Sequence, residues 1–298
     1  MIALLDKQME KKTAMISVFL CTSVWGLLWM PLRYIESVGL ASLWANTFFI
    51  FMPIPLLAYF SLRSLIQDRA HYHLYFWAGL TVGLGFMFYT LGLLVGSVTK
   101  TTLLFYLTPV WSSILGIIFL GERGKPLLWL AHGLGLLGLA LIMNLNVFDL
   151  QFDPTDIWGF LSGVFWSIGS VMVRRYPKAD YLALNLSHYS FAVLVGLIGV
   201  MIMGLPAPDL SAMAKALPVG FIASCLIFLP AMLLIFRVTQ YISPAVVGIL
   251  MLSEVFCAVI SAAIFLGESM VWFQWIGAGF IIITAVIVTM TEGEKNLN

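Results

Sequence analysis

Charge is what this sequence has least of. Asp, Glu, Lys and Arg make up 10% of its 298 residues, against about a quarter in an ordinary soluble domain. Hydrophobic residues reach 61% and the mean hydropathy is +1.02. A fold surrounded by water could not hide that much apolar surface, because even large domains leave much of their chain accessible. A soluble globular protein is excluded, and an all-α protein that crosses a membrane repeatedly is expected. Cysteine is scarce too. Cys21, Cys225 and Cys257 all fall inside apolar runs and form no CxxC or Cys/His spacing. They read as small buried hydrophobes, so neither a disulfide framework nor a metal site is expected, and no cofactor is implied. The net charge is +1 and the charges are confined to loops, which leaves no basic face for nucleic acid. HExxH and GxSxG are missing, as are long polar tails, which argues against an intramembrane enzyme and against a receptor or scaffold.

What is present is a series of apolar runs of about 20 residues, the length a helix needs to cross a bilayer. Ten are expected, at 13–33, 40–62, 74–95, 98–120, 127–147, 157–174, 181–205, 217–237, 244–266 and 271–290. Polar breaks such as RSLIQDRAHYH, GERGKP and NVFDLQFDPTD separate them. The thinnest join is LVGSVTK, between the third and fourth. The first run follows Lys11 and Lys12 and has no small-residue cleavage site, so it reads as a retained span rather than a leader. Placing the N-terminus in the cytoplasm puts twelve of the 15 Lys and Arg residues on that side, Lys7 and Lys295 among them, and leaves Arg33, Lys100 and Lys215 outside. That bias is the positive-inside signature. It predicts a multi-pass protein of the cytoplasmic (inner) membrane with both termini cytoplasmic.

The chain also repeats itself. TPVWSSILGIIFLGE (Thr108–Glu122) aligns with EVFCAVISAAIFLGE (Glu254–Glu268) at an offset of 146, and Trp25 meets Trp166 at an offset of 141. Two halves are expected, 1–147 and 150–298, each of five spans. Because five is odd, halves of similar fold enter the membrane with opposite orientation. Such inverted repeats belong to carriers that work by alternating access.

Ten spans, the pair Trp25-Gly26 in the first, and the pattern LTPV…FLGER from Leu107 to Arg123 in the fourth together resemble the drug/metabolite transporter superfamily, and within it the EamA-type ten-helix carriers. The resemblance covers essentially the whole chain. It implies a central cavity lined by spans 1–4 and 6–9, with spans 5 and 10 packed outside. It leaves the substrate open, since members move amino acids, nucleotide sugars, amines and other metabolites. One departure stands out. Where many members repeat in the ninth span the proline of the fourth (here Pro109), this chain has Val255 preceded by Glu254.

Glu254 lies about ten residues into its span, where an acid costs roughly 2.5–3.5 kcal/mol on insertion scales. It reads either as a counter-ion for an amine or as a proton-coupling acid, with Val247, Met251, Ala258 and Ser261 on its face. A protonated acid bonded to a neighbouring helix is the bland alternative. Thr108 is its counterpart in the first half. Aromatic side chains able to surround an organic cation are Trp25 and Trp29, four apart on span 1, with Tyr89, Tyr106 and Trp166. His188 in span 7 is a candidate proton relay. Trp44, Trp129, Trp272 and Trp275 read instead as an interfacial belt. The expected substrate is a small amine-bearing solute such as an amino acid. An anionic metabolite held by Lys100 is the alternative, an external gate formed with an acid such as Glu36 is another reading of that lysine, and a snorkelling lysine explains it as well. Gly133–Gly138, Gly277–Phe280 and the Gly79/Gly83 pair read as close helix packing. The expected assembly is a monomer or a homodimer.

Overall fold

The computed structural model describes residues 9–145, 151, 153–267 and 270–293. Lys7, Lys295 and Glu268, the end of the fifth expected span and the outermost parts of the two expected halves lie outside the described residues. Among the described residues, nine helices are long and apolar enough to cross a membrane: Lys11–Ser37, Leu43–Gln67, Arg69–Val95, Val98–Leu120, Asp156–Arg175, Tyr181–Ile202, Leu210–Thr239, Pro244–Leu266 and Trp272–Glu292. The shorter apolar helix Pro126–Ile142 completes ten. In chain order these are spans 1 to 10, with Pro126–Ile142 as span 5. Their outward faces carry Leu20, Ile118, Ile202 and Ile264, all exposed, a surface that only hydrocarbon would solvate.

Helix ends follow local chemistry. Spans 3 and 4 are separated by Gly96 and Ser97 alone, and the Ser97 side chain accepts from the Lys100 N–H as an N-cap. Both FLG sequences end their helices with a left-handed glycine, Gly121 at φ +66° and Gly267 at φ +71°. Span 8 begins at Leu210, seven residues before the expected start, because Pro218 is carried inside the helix. Further along, Ile222–Phe228 widens into a π-helix in which the Leu229 N–H reaches back to Ser224. Pro230 has no N–H for the carbonyl four residues back, and a wide turn is one way to absorb that loss.

Spans 1, 4 and 9 are broken in their middles, and span 2 is interrupted at Met52, between Ser42–Phe51 and Pro53–Gln67. Span 1 consists of Lys11–Trp25 and Trp29–Ser37, span 4 of Val98–Phe105 and Thr108–Leu120, and span 9 of Pro244–Leu250 and Ser253–Leu266. Spans 2 and 4 announce their breaks with a proline, Pro53 and Pro109. Spans 1 and 9 approach closely at the break in span 1. A Cβ on Gly26 would lie 2.3 Å from the Glu254 carbonyl oxygen and 2.7 Å from the Ala258 nitrogen. On the other side of the bundle the Ser167 hydroxyl donates to the Thr108 carbonyl at 3.1 Å. Span 3 packs on span 7 through Gly79 and Gly83, which face Ser187, Phe191 and Ala192.

Spans 5 and 10 form a separate pair. Gly138 and Gly277 bring the two backbones together, and the Gln274 side chain donates to the Ile142 carbonyl at 2.8 Å. The bundle therefore has eight inner spans and two outer ones.

Candidate functional site

A cavity of about 240 Å³ opens on the face opposite the one where span 1 begins. Its wall comes from spans 1, 2, 3, 4, 6, 8 and 9, and no residue of span 5 or span 10 reaches it. Trp25 and Trp166, both mostly buried, bracket it from spans 1 and 6. Phe86, Tyr89 and Phe105 add aromatic surface, and Leu28, Leu32, Leu93, Leu94, Met232, Ile235 and Met251 add aliphatic surface. The rings interlock. Trp25 meets Phe228 edge-on at 5.2 Å and Phe86 at 6.0 Å, while Tyr89 lies 4.6 Å from Phe105.

The polar groups are few. Glu254 points into the cavity from the first turn of the second half of span 9. A half-helix N-terminus carries partial positive charge, so the position favours a carboxylate even at mid-membrane depth. The Tyr89 and Tyr106 hydroxyls both lie within electrostatic reach of it. Tyr106 falls short of a hydrogen bond, and Tyr89 is 3.3 Å from the Thr102 hydroxyl. On the cavity floor, Thr22 and Ser253 share a 2.7 Å hydrogen bond, and the Thr22 oxygen is 3.2 Å from the Leu250 carbonyl. The Asn46 amide donates to Thr90 at 2.9 Å. The Trp25 indole N–H is buried and bonds to nothing among the described residues. No Lys, Arg or His lines the cavity. No cluster of His, Cys, Asp or Glu suited to a metal occurs among the described residues.

Of the residues singled out in the sequence, Trp25, Tyr89, Trp166 and Glu254 line this one cavity. Tyr106 stands just behind them, fully buried. Three others lie elsewhere. Trp29 donates its indole N–H to Ser261 at 3.0 Å and lines an outer groove with Arg33, Ala262 and Leu266. The break between Trp25 and Trp29 re-aims the second ring, so four-residue spacing does not put both on one face. Thr108 turns inward and donates to the Phe105 carbonyl across the break in span 4, satisfying an acceptor the break exposes. His188 is buried one ring behind the wall, stacked on Phe236 at 5.7 Å and 6.4 Å from Trp166. Its Nδ1 has no partner among the described residues.

Lys100 is committed outside the cavity. Its ammonium bonds the Gln151 carbonyl and pairs with Asp156 at 3.2 Å, so Asp156, not Glu36, is its acid partner. Reasoning from the sequence did not single out Thr22, Asn46, Thr90 or Phe86 as wall residues. The one available signal was Thr22, three residues before Trp25 and hence on its face.

On the opposite face the bundle is closed below the Thr22–Ser253 floor. The Ser243 hydroxyl donates to Glu122 at 2.7 Å, Lys125 pairs with Glu292, and Arg174 donates to the Gln240 carbonyl at 3.0 Å. These contacts surround a second pocket of about 220 Å³ that also includes Lys11, Arg123 and Tyr241.

Ten spans, broken helices meeting at mid-depth and a cavity walled by seven of the inner eight define a polytopic membrane protein with a solute-sized central site. The chain belongs to the EamA-like transporter family, which it matches over residues 12–144 and again over 153–290. It is 22% identical over 176 residues to the S-adenosylmethionine uptake transporter of Rickettsia bellii (strain RML369-C), an alignment covering 59% of each chain. It is also 22% identical over 196 residues to the uncharacterized transporter YoaV of Bacillus subtilis (strain 168), covering 62% of this chain and 65% of that one. The chain thus spans less than two thirds of the length of these curated relatives. A solved structure titled "Crystal structure of protein" superposes with a TM-score of 0.71 at 16% identity, over 94% of this chain and 97% of that one, a likeness of fold.

Proposed function

We propose that this protein is a secondary active transporter that moves a small amine-bearing organic solute across the cytoplasmic membrane by alternating access, with Glu254 reading the substrate or a coupling proton. One observation carries the reading. A single acid stands at mid-span on a half-helix N-terminus and faces an aromatic cavity whose lining holds no basic side chain. An ammonium group entering there finds a counter-charge, and rings whose faces attract cations. The amino acid of the sequence reading is the first solute class to test. The S-adenosylmethionine named for the Rickettsia relative carries a positive charge as well as an amine, which fits the same chemistry.

Alternating access is supported by the two ends of the bundle. One cavity is open on the far face, and a second pocket lies beneath a floor of a few hydrogen bonds. We read the halves 1–147 and 150–298 as inverted repeats. In that reading Trp25-Gly26 and Trp166-Ser167 are counterparts, and each second residue contacts the matching carbonyl in the partner half, Glu254 or Thr108. Opening the lower pocket while closing the upper cavity would exchange their roles. The cytoplasmic side is assigned to the face of Lys11, Arg123, Lys125 and Arg174 by the positive-inside rule. Coupling is placed on Glu254 ahead of His188, because the histidine has aromatic rings between it and the cavity. The Lys100 alternative for an anion gains no support from a lysine already paired with Asp156.

The test is flux of labelled amines and amino acids into proteoliposomes under an imposed pH gradient. Saturable, gradient-dependent uptake of at least one amine is expected. Absence of amine flux from folded protein, with uptake of carboxylates instead, would overturn the reading.

A further inference from the structure

Glu254 cannot capture a substrate from solution by itself. It sits beside Gly26 at the break in span 1, and Glu36 lies near the far end of the second half of that span, Trp29–Ser37, about 10 Å beyond that half's start at 1.5 Å per residue. At physiological salt the screening length is about 8 Å, so little of the deep charge is felt outside. Glu36 is the acid at the entrance. It is exposed and lines both the cavity and the adjoining outer groove. It makes no ion pair among the described residues, not even with Arg33 three residues earlier. Nothing in its surroundings explains it as a structural contact. Among the described residues, Glu36 and Glu254 are the only Asp, Glu, Lys, Arg or His side chains in the cavity lining, and both are acids.

We infer that Glu36 is the capture residue of this cavity, concentrating net-cationic amines at its mouth and setting a preference for a cation over a zwitterion. The inference rests on the amine reading above and narrows it. A zwitterion gains nothing net from Glu36, and its carboxylate must pass that acid and then settle in a lining with no cationic side chain. A net cation is attracted at both ends of the path. Entrance charges raise the local concentration of an oppositely charged ligand, and they act on encounter more than on the later steps.

The experiment uses full-length protein in liposomes with tyramine (a net cation) and tyrosine (its zwitterionic counterpart) as matched aromatic probes, at low and high ionic strength. Wild-type protein is expected to carry tyramine with a KM about tenfold below that for tyrosine at low salt. Glu36→Gln is expected to raise the tyramine KM by about threefold to tenfold at low salt, with the maximal rate unchanged and the difference gone at high salt. Glu36→Asp should restore most of the effect, which a purely structural role would not predict. Glu36 is exposed, so these variants should fold. If wild-type protein carries tyramine and Glu36→Gln alters neither its KM nor its salt dependence, the capture role is overturned and the amine reading stands. If wild-type protein carries tyrosine as well as tyramine at every ionic strength, the charge preference is overturned. If it carries neither, the amine reading fails and takes this inference with it.

Discussion

Replacing Gly26 by alanine is the smallest change that should disturb the site from a distance. Gly26 has φ −61° and ψ −13°, a conformation alanine adopts freely, so backbone strain plays no part. The new methyl group would lie 2.3 Å from the Glu254 carbonyl oxygen, 2.7 Å from the Ala258 nitrogen and 2.9 Å from the Cys257 Cβ. Two of these are backbone atoms that cannot rotate away. Spans 1 and 9 must therefore part by about 0.7 Å before the contact reaches even 3.0 Å, the tightest that Cβ atoms show. Overpacking of this kind costs about 1–3 kcal/mol. Alanine's smaller unfolded-state entropy returns about 0.4–1 kcal/mol, leaving a net loss of roughly 1–2 kcal/mol. The assay is thermal unfolding in detergent together with substrate binding, since the same displacement moves Glu254. A Tm several degrees lower and weaker binding are expected. Gly133→Ala is the control, because nothing lies within 4 Å of a Cβ there, and it should leave both measurements unchanged. Wild-type Tm and affinity in Gly26→Ala would refute the claim that span 1 and span 9 are in contact at the break.

Further outcomes are expected elsewhere in the bundle. Lys100→Met leaves Asp156, which is 7% exposed and already has one carboxylate oxygen without a partner, with only the Asp153 N–H at 2.9 Å as donor among the described residues. The expected loss is about 1–3 kcal/mol in thermal or denaturant unfolding, with substrate KM unchanged because Lys100 is off the cavity. An anion carrier that depended on Lys100 would lose transport instead. At the corner between spans 2 and 3, burial pushes the Asp68 carboxyl up, but hydrogen bonds from Tyr75 and His71 outweigh it and hold the group below its ordinary 3.8. A lowered folded-state value contributes stability above the unfolded value, lost as pH falls through the folded one. The wild-type Tm should therefore fall on acidification below about pH 4, and Asp68→Asn should lack that component. An identical acid profile for the two proteins would contradict the assignment.

The ten spans were legible because crossing a bilayer demands about 20 apolar residues, and no tertiary contact can waive that demand. The helix ends at the two FLG sequences were legible, and a left-handed glycine closes a helix at each. Trp25, Trp166 and Glu254 line one cavity, where the proposed inverted repeat would bring them. The helix breaks in spans 1 and 9 were not legible. Neither contains a proline at the break, and both come from close contact between the two spans at Gly26 and Glu254. Everything downstream of a break inherits the error. Helical phase carried past residues 26–28 put Trp29 beside Trp25, although it faces Ser261. Thr108 was read as a counterpart of Glu254 in the cavity, yet it spends its hydroxyl on the carbonyl that the break leaves open. The early start of span 8 was hidden by Pro218, which read as part of a loop and is absorbed within the helix.

The central claim is that a lone carboxylate at mid-membrane couples a small amine to the two-sided motion of the bundle. Its most direct test is uptake by Glu254→Gln in proteoliposomes under an imposed pH gradient, with the unchanged fold checked by thermal unfolding. The account predicts folded protein that no longer accumulates amine against its gradient. Full pH-driven accumulation by Glu254→Gln would contradict it.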